Sequence, residues 1–256
     1  MVKKFAILAL LGAFAYSSAS ESGTLASRAA RSINAGKFAK AYNQLERALL
    51  ASRKESDLLS EGRVLLAMAQ IRTQSLDFDF ADSLISVVRP EVLDRTTTTS
   101  LILTKVALAN ARENYSDGAK LCGKADPDSV RKSDKSTAAT FHAECAISYA
   151  GTHHNDDAEE SLKMVGKYSS KKGGFYAYTA ARIADLSGNA SEADSLYRVA
   201  EAKSIEGNKP YMTATILYMR SQLKKTPKDE AEDLKLRCKN AFELMGLPNN
   251  SKRCGQ

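Results

Sequence analysis

One feature constrains the fold of this chain more than any other: small residues return at a nearly fixed spacing. Ala41, Ala81, Ala119, Ala158, Ala193 and Ala231 are separated by 40, 38, 39, 35 and 38 residues. Twelve residues before each stand Ala29, Ala69, Ala107, Ala146, Ala181 and Met219. Self-similarity at this period marks a repeat architecture. Two antiparallel helices joined by a tight turn come closest near that turn, where a small side chain on each helix lets the backbones touch. Bulkier residues fill the space to either side. Met68, Val106, Cys145 and Tyr218 directly precede the first small position. Leu45, Ile85, Leu162 and Tyr197 follow the second by four residues, on the same helical face. The breaks between paired helices, such as Gly36-Lys37, Asn114 to Asp117, His153 to Asp156 and Gly188-Asn189, carry turn residues. A single hairpin of this kind cannot bury its apolar face alone, so neighbours must stack.

The stretch Ala29…Gly36-Lys37-Phe38-Ala39-Lys40-Ala41…Leu45…Ala48-Leu49 resembles a tetratricopeptide repeat, as does Ala181…Gly188-Asn189…Ala193…Tyr197…Ala200. The resemblance covers about six hairpins, from Ser22 to roughly Met245. It implies an all-α, right-handed solenoid over residues 20–245, followed by a tail over 246–256. That family's repeat is about 34 residues long, so the longer spacing here implies longer loops between repeats. The chain departs from the family in three respects. It has no tryptophan, its third repeat falls out of phase after Ala119, and Met219 and Lys235 stand where small and apolar residues belong in the sixth. The family binds its ligands on a concave face lined by the first helix of each hairpin. Carried over residue by residue, that face would present Arg63, Gln70 and Gln74 in the second repeat and Arg112 in the third. The fifth would add Tyr178, Arg182 and Asp185, and the sixth Arg220 and Lys224. Arginine and tyrosine anchor interfaces, and the surplus of cations suits an acidic or carboxylate-bearing peptide. The family's carboxylate-clamp form places Lys and Asn where Ala26 and Ala30 stand, so that form is not implied.

The N-terminus reads as an address. Lys3 and Lys4 precede an apolar run from Phe5 to Ala15, and the small residues Ser17 to Ser20 follow. This order predicts a cleavable secretory signal over 1–19, cut after Ala19. Eleven helical residues rise about 16 Å, too short for a hydrocarbon layer of about 30 Å. The mature chain is therefore expected in the periplasm or outside the cell, with no membrane-spanning segment. An oxidising destination suggests that the four cysteines pair. The repeat map puts Cys122 in the second helix of the third hairpin and Cys145 in the first helix of the fourth, which are packed neighbours. Cys238 falls in the last long helix, within reach of Cys254 on a tail that folds back. The expected bridges are Cys122–Cys145 and Cys238–Cys254, each worth about 3 kcal/mol through loop closure.

Composition and motifs argue against catalysis. Hydrophobic residues are 43% and charged residues 26% of the chain, enough to bury a core. The net charge is +7, or 7 − 2 = +5 without Lys3 and Lys4, a mild excess with no long basic run to suggest nucleic acid. His142, His153 and His154 are the only histidines, and two adjacent on a turn point apart, so no metal site is expected. No nucleophile elbow, phosphate-binding glycine loop or dinucleotide fingerprint occurs. The sequence thus predicts a non-enzymatic scaffold of the cell envelope, without cofactor, that holds a peptide or partner protein in its groove. Two other readings are a helical accessory domain for anionic cell-wall or lipid surfaces, and a helical hydrolase.

Overall fold

The computed structural model describes residues 20–256, so the signal expected over 1–19 lies outside the described residues. Fourteen α-helices occupy that span, with no strand among the described residues. They run as six hairpins: α1 (Glu21–Asn34) with α2 (Phe38–Lys54), α3 (Leu58–Gln74) with α4 (Phe78–Ser86), and α5 (Arg95–Ala111) with α6 (Tyr115–Gly123). After a short α7 (Pro127–Lys132) come α8 (Lys135–Gly151) with α9 (Asn155–Tyr168), α10 (Gly174–Leu186) with α11 (Ala190–Glu206), and α12 (Pro210–Ser221) with α13 (Lys228–Leu244). Each hairpin packs on the next, giving an all-α helical-repeat solenoid. The chain then ends in α14 (Pro248–Cys254), so most of the tail expected over 246–256 is a helix packed on α13.

The small residues sit where the spacing puts them. Ala29, Ala41, Ala69, Ala81, Ala146, Ala158, Ala181 and Ala193 are completely buried. In the third hairpin the phase slips by one. Ala119 is half-exposed, and the close approach falls on Gly118, where a Cβ would lie 2.4 Å from Ser148 Oγ and 3.0 Å from Asn110 Oδ1. Only glycine fits. In the sixth hairpin Ala231 is half-buried, and the inward stripe of α13 is Leu234, Cys238 and Phe242.

One turn design closes eight of the helices. The residue after the helix cap takes a positive φ: Gly36, Ser56, Leu76, Glu113, His153, Gly188, Asn208 and Gly246. The next residue's N–H then reaches back to a carbonyl five residues earlier, as from Lys37 to Ser32, Asp57 to Ser52, His154 to Tyr149 and Leu247 to Phe242. This is the Schellman closure, which satisfies carbonyls at the helix end and reverses the chain within three residues. Asp57, Asp94, Asn114, Asp126, Asp134 and Asn189 cap the following helices with their side chains.

The two expected bridges are present. Cys122 on α6 joins Cys145 on α8, and Cys238 on α13 joins Cys254 on α14. Such bonds persist in oxidising compartments. No helix among the described residues is long and apolar enough to cross a membrane.

The stack also curls until its ends meet. Phe38 in the first hairpin lies 5.4 Å from the Tyr211 ring in the sixth, and Lys209 Nζ donates to Asn34 Oδ1. Gly36 sits against Pro210 and Met245. The first helices are therefore covered on both sides. Twelve of the seventeen residues of α3 are buried, against three of seventeen in the outer α13.

Three outcomes are expected. Alkylation of the denatured, unreduced chain should find no free thiol at Cys122, Cys145, Cys238 or Cys254, checked by peptide mass spectrometry. His153 is exposed and held in the left-handed region, so His153→Gly should raise stability by about 1 kcal/mol in urea unfolding. Gly36→Ala should lower it, since its Cβ would press on Pro210 and Met245.

Candidate functional site

The concave face expected to be open is closed by the chain itself. α14 lies against the end of α3, where Asn250 Nδ2 donates to Gln74 O at 2.9 Å and Asn249 Nδ2 to Ser75 O at 3.2 Å. Tyr211 Oη donates to the same Gln74 carbonyl at 3.0 Å. The Arg253 guanidinium lies 4.1 Å above the Tyr218 ring. The bridge to Cys238 pins the far end of α14.

This closure decides the fate of the nine side chains assigned to a groove. Gln70, Gln74, Tyr178, Arg182 and Arg220 are buried, and the Asp185 carboxylate is 6% exposed, so none of the six lies on an open groove. Their partners are internal. Gln70 Nε2 donates to Thr104 Oγ1 on the next hairpin, at 3.1 Å. Arg182, fully enclosed, donates from Nη1 to Asp185 Oδ2 at 3.0 Å and from Nη2 to Tyr115 Oη at 3.4 Å. Arg220 binds three carboxylates, Asp194 and Glu201 on α11 and Glu230 on α13, and so ties α12 to both. Arg63 pairs with Asp94 at 2.6 Å and with Thr97, at the start of α5. Arg112, about one-third exposed, bridges to Asp79 and Asp82 on α4. Lys224 alone of the nine is exposed with no such bond.

The interior also holds polar groups that the repeat pattern does not single out. Glu144 on α8 is 2% exposed. Asn110 Nδ2 donates to its Oε2 at 2.7 Å and to its backbone carbonyl at 2.9 Å, while Ser148 Oγ donates to Asn110 Oδ1. Burial, partly offset by Asn110 and Arg182, pushes the Glu144 carboxyl up to about 7. A signal for it exists in the sequence: it interrupts Ala138–Ala150, a run with almost no other charge, where a carboxylate must be enclosed or paired. Several atoms around this centre have no protein partner, among them Glu144 Oε1, Tyr178 Oη, Arg182 Nε, Tyr197 Oη and Arg253 Nη1. A carboxyl with a raised pKa suits proton transfer, but Glu144 is sealed from solvent and lines none of the cavities described below.

Among the cavities that open beyond the closed centre are two of similar size. One, of about 460 Å³, lies between the first hairpin, the starts of α8 and α12, and α10. The other, of about 420 Å³, lies beside the Cys122–Cys145 bridge and His142. Burial and the Lys167 charge hold His142 down at about 4, and its ring stacks on Tyr168 at 5.8 Å. His153 and His154 are exposed on their turn, with His154 Nδ1 3.1 Å from Thr152 Oγ1. Among the described residues no group of three or more His, Cys, Asp or Glu side chains is placed to hold a metal.

The chain matches no protein-family model and shows no significant similarity to any curated protein.

Glu144 and His142 oppose each other in their dependence on pH. The folded chain holds the Glu144 proton more tightly than the unfolded chain, whose carboxyl titrates near 4.5. Its contribution is complete below that value and lost as pH rises through about 7. His142 contributes fully above its unfolded value of 6.5, and loses that contribution as pH falls toward 4. Glu144→Gln should therefore gain on the native chain between about pH 5 and pH 8, by on the order of 3 kcal/mol. Thermal melts of both proteins across that range check it.

Proposed function

We propose that this chain is a non-catalytic interaction module of the periplasm or cell exterior, built like a tetratricopeptide-repeat protein, that holds a peptide or protein segment against its concave face. The observation that carries this reading is that the face already holds a helix, the chain's own α14. The contacts are of a kind a partner could supply: side-chain amides on helix-end carbonyls, a guanidinium over an aromatic ring, and apolar packing. A partner segment would take the place of α14 or extend beside it. The two disulfides and the segment expected over 1–19 support an extracytoplasmic setting. Charge-driven binding to an anionic surface is supported less well, because so many of the arginines are engaged in internal ion pairs, from Arg53 and Arg63 to Arg220 and Arg237.

The test weakens α14 without removing it. Asn250→Ala with Arg253→Ala should leave helix content unchanged by circular dichroism and increase the yield of the partner crosslinked in cells, identified by mass spectrometry. A partner that crosslinks equally to both proteins, or only through the outer α2, α4 and α13, would rule out the concave face.

A further inference from the structure

The cavity between the first hairpin and the start of α8 lies apart from α14, which contributes no residue to it. Its walls are apolar: Ile33 and Phe38 from the first hairpin, Ala139 from α8, Phe175 from α10, and Tyr211 and Met212 from α12. A volume of about 460 Å³ lies within the range of small-molecule sites, which are apolar hollows with a few placed polar groups.

Neutral polar side chains also line it, among them Asn34, Ser136, Thr140 and Ser169, and its two charged groups share a sign. Gln74 lines the cavity, is 1% exposed, and leaves its Nε2 donor without a protein partner. Its backbone carbonyl is already taken by Tyr211 and Asn250, so the side-chain amide is the part left over. A buried donor without an acceptor is costly, and a ligand acceptor would remove that cost. Two cations, Lys135 and Lys209, stand exposed among the lining residues. Neither has a carboxylate within ion-pairing distance among the described residues, although most of the chain's arginines do; Lys209 reaches only the neutral Asn34. No acidic side chain lines the cavity.

We propose that this cavity binds a small amphipathic carboxylate whose apolar body fills the hollow, whose anion meets Lys135 and Lys209, and whose inner end carries a hydroxyl or carbonyl that accepts from Gln74 Nε2. A peptide backbone fits this chemistry poorly. Each of its amides needs both a donor and an acceptor, and Thr140, the buried hydroxyl in the wall, already donates to Ser136 O at 2.8 Å. The inference is independent of the interaction-module reading, because the ligand would leave α14 in place.

Isothermal titration calorimetry on the full chain tests it, with decanoate, ω-hydroxydecanoate, decanol and decyltrimethylammonium as probes. Decanoate should bind, the ω-hydroxy acid more tightly, and the neutral and cationic probes much more weakly. Lys135→Glu with Lys209→Glu should weaken decanoate at least about tenfold. Gln74→Leu should abolish the preference for the hydroxy acid. Met212→Trp, which fills the hollow and keeps both lysines and Gln74, should remove binding of both acids and serves if Gln74→Leu does not fold. No carboxylate binding below about 1 mM, equal binding of all four probes, or indifference to both lysine reversals would each overturn the proposal. None of these results bears on whether a partner occupies the face covered by α14.

Discussion

The architecture turns on the C-terminal end of α3. A helix leaves its last carbonyls without partners from its own backbone, and a buried carbonyl without a donor costs about 1–3 kcal/mol. In this chain Gln74 O and Ser75 O receive donors from Tyr211, Asn250 and Asn249, residues 137, 176 and 174 positions away. Those bonds tie the second hairpin to the sixth and to α14. An open stack of hairpins has no need of such contacts, and a stack that makes them must curl until its concave side is enclosed. The tilted packing of Phe38 on Tyr211 and of Tyr211 on Phe242 supplies the apolar part of the same junction.

Enclosure then sets the chemistry of the interior. Side chains that would be solvated on an open groove must find partners inside the protein. Arg220 finds three carboxylates, Arg182 finds Asp185 and Tyr115, and Gln70 finds Thr104. Replacing one member of such a set leaves the others buried and unpaired, which is why buried ion pairs are costly to break even when they add little net stability. Where pairing is incomplete the proton equilibrium responds, as in the upward shift of Glu144. These groups hold the fold in one arrangement, and their burial keeps them from reaching a substrate. The cavities at the edges remain accessible, and the α14 contact would become so if that helix were displaced.

Much of this was legible in the chain, residue by residue. The alanine spacing located the hairpins, and the helix order placed Cys122 beside Cys145 and Cys238 beside Cys254. The slip from Ala119 to Gly118 was hidden because either residue is small, and only the contact with Asn110 and Ser148 distinguishes them. The closed groove leaves a trace in the sequence. The run Val64–Ile71 is apolar or small at every position but Gln70, too uniform for a helix with one wet face. Glu144 left another, as a lone carboxylate amid buried alanines. The groove positions read as accessible from spacing alone, because spacing reports which face a side chain occupies on its own helix and carries no information about what covers that face.

The helices, their caps and turns, most of the hairpin register and the pairing of the cysteines are written in the chain, because each depends on contacts within a hairpin or with its immediate neighbour. The closing of the stack, the placing of α14 against α3, the enclosure of Arg182 and Arg220, and the unpaired Gln74 amide beside a hollow come from long-range packing. Those outcomes depend on the small rotation between successive hairpins, summed over six of them. No local pattern of residues encodes that sum, yet it fixes which distant surfaces meet.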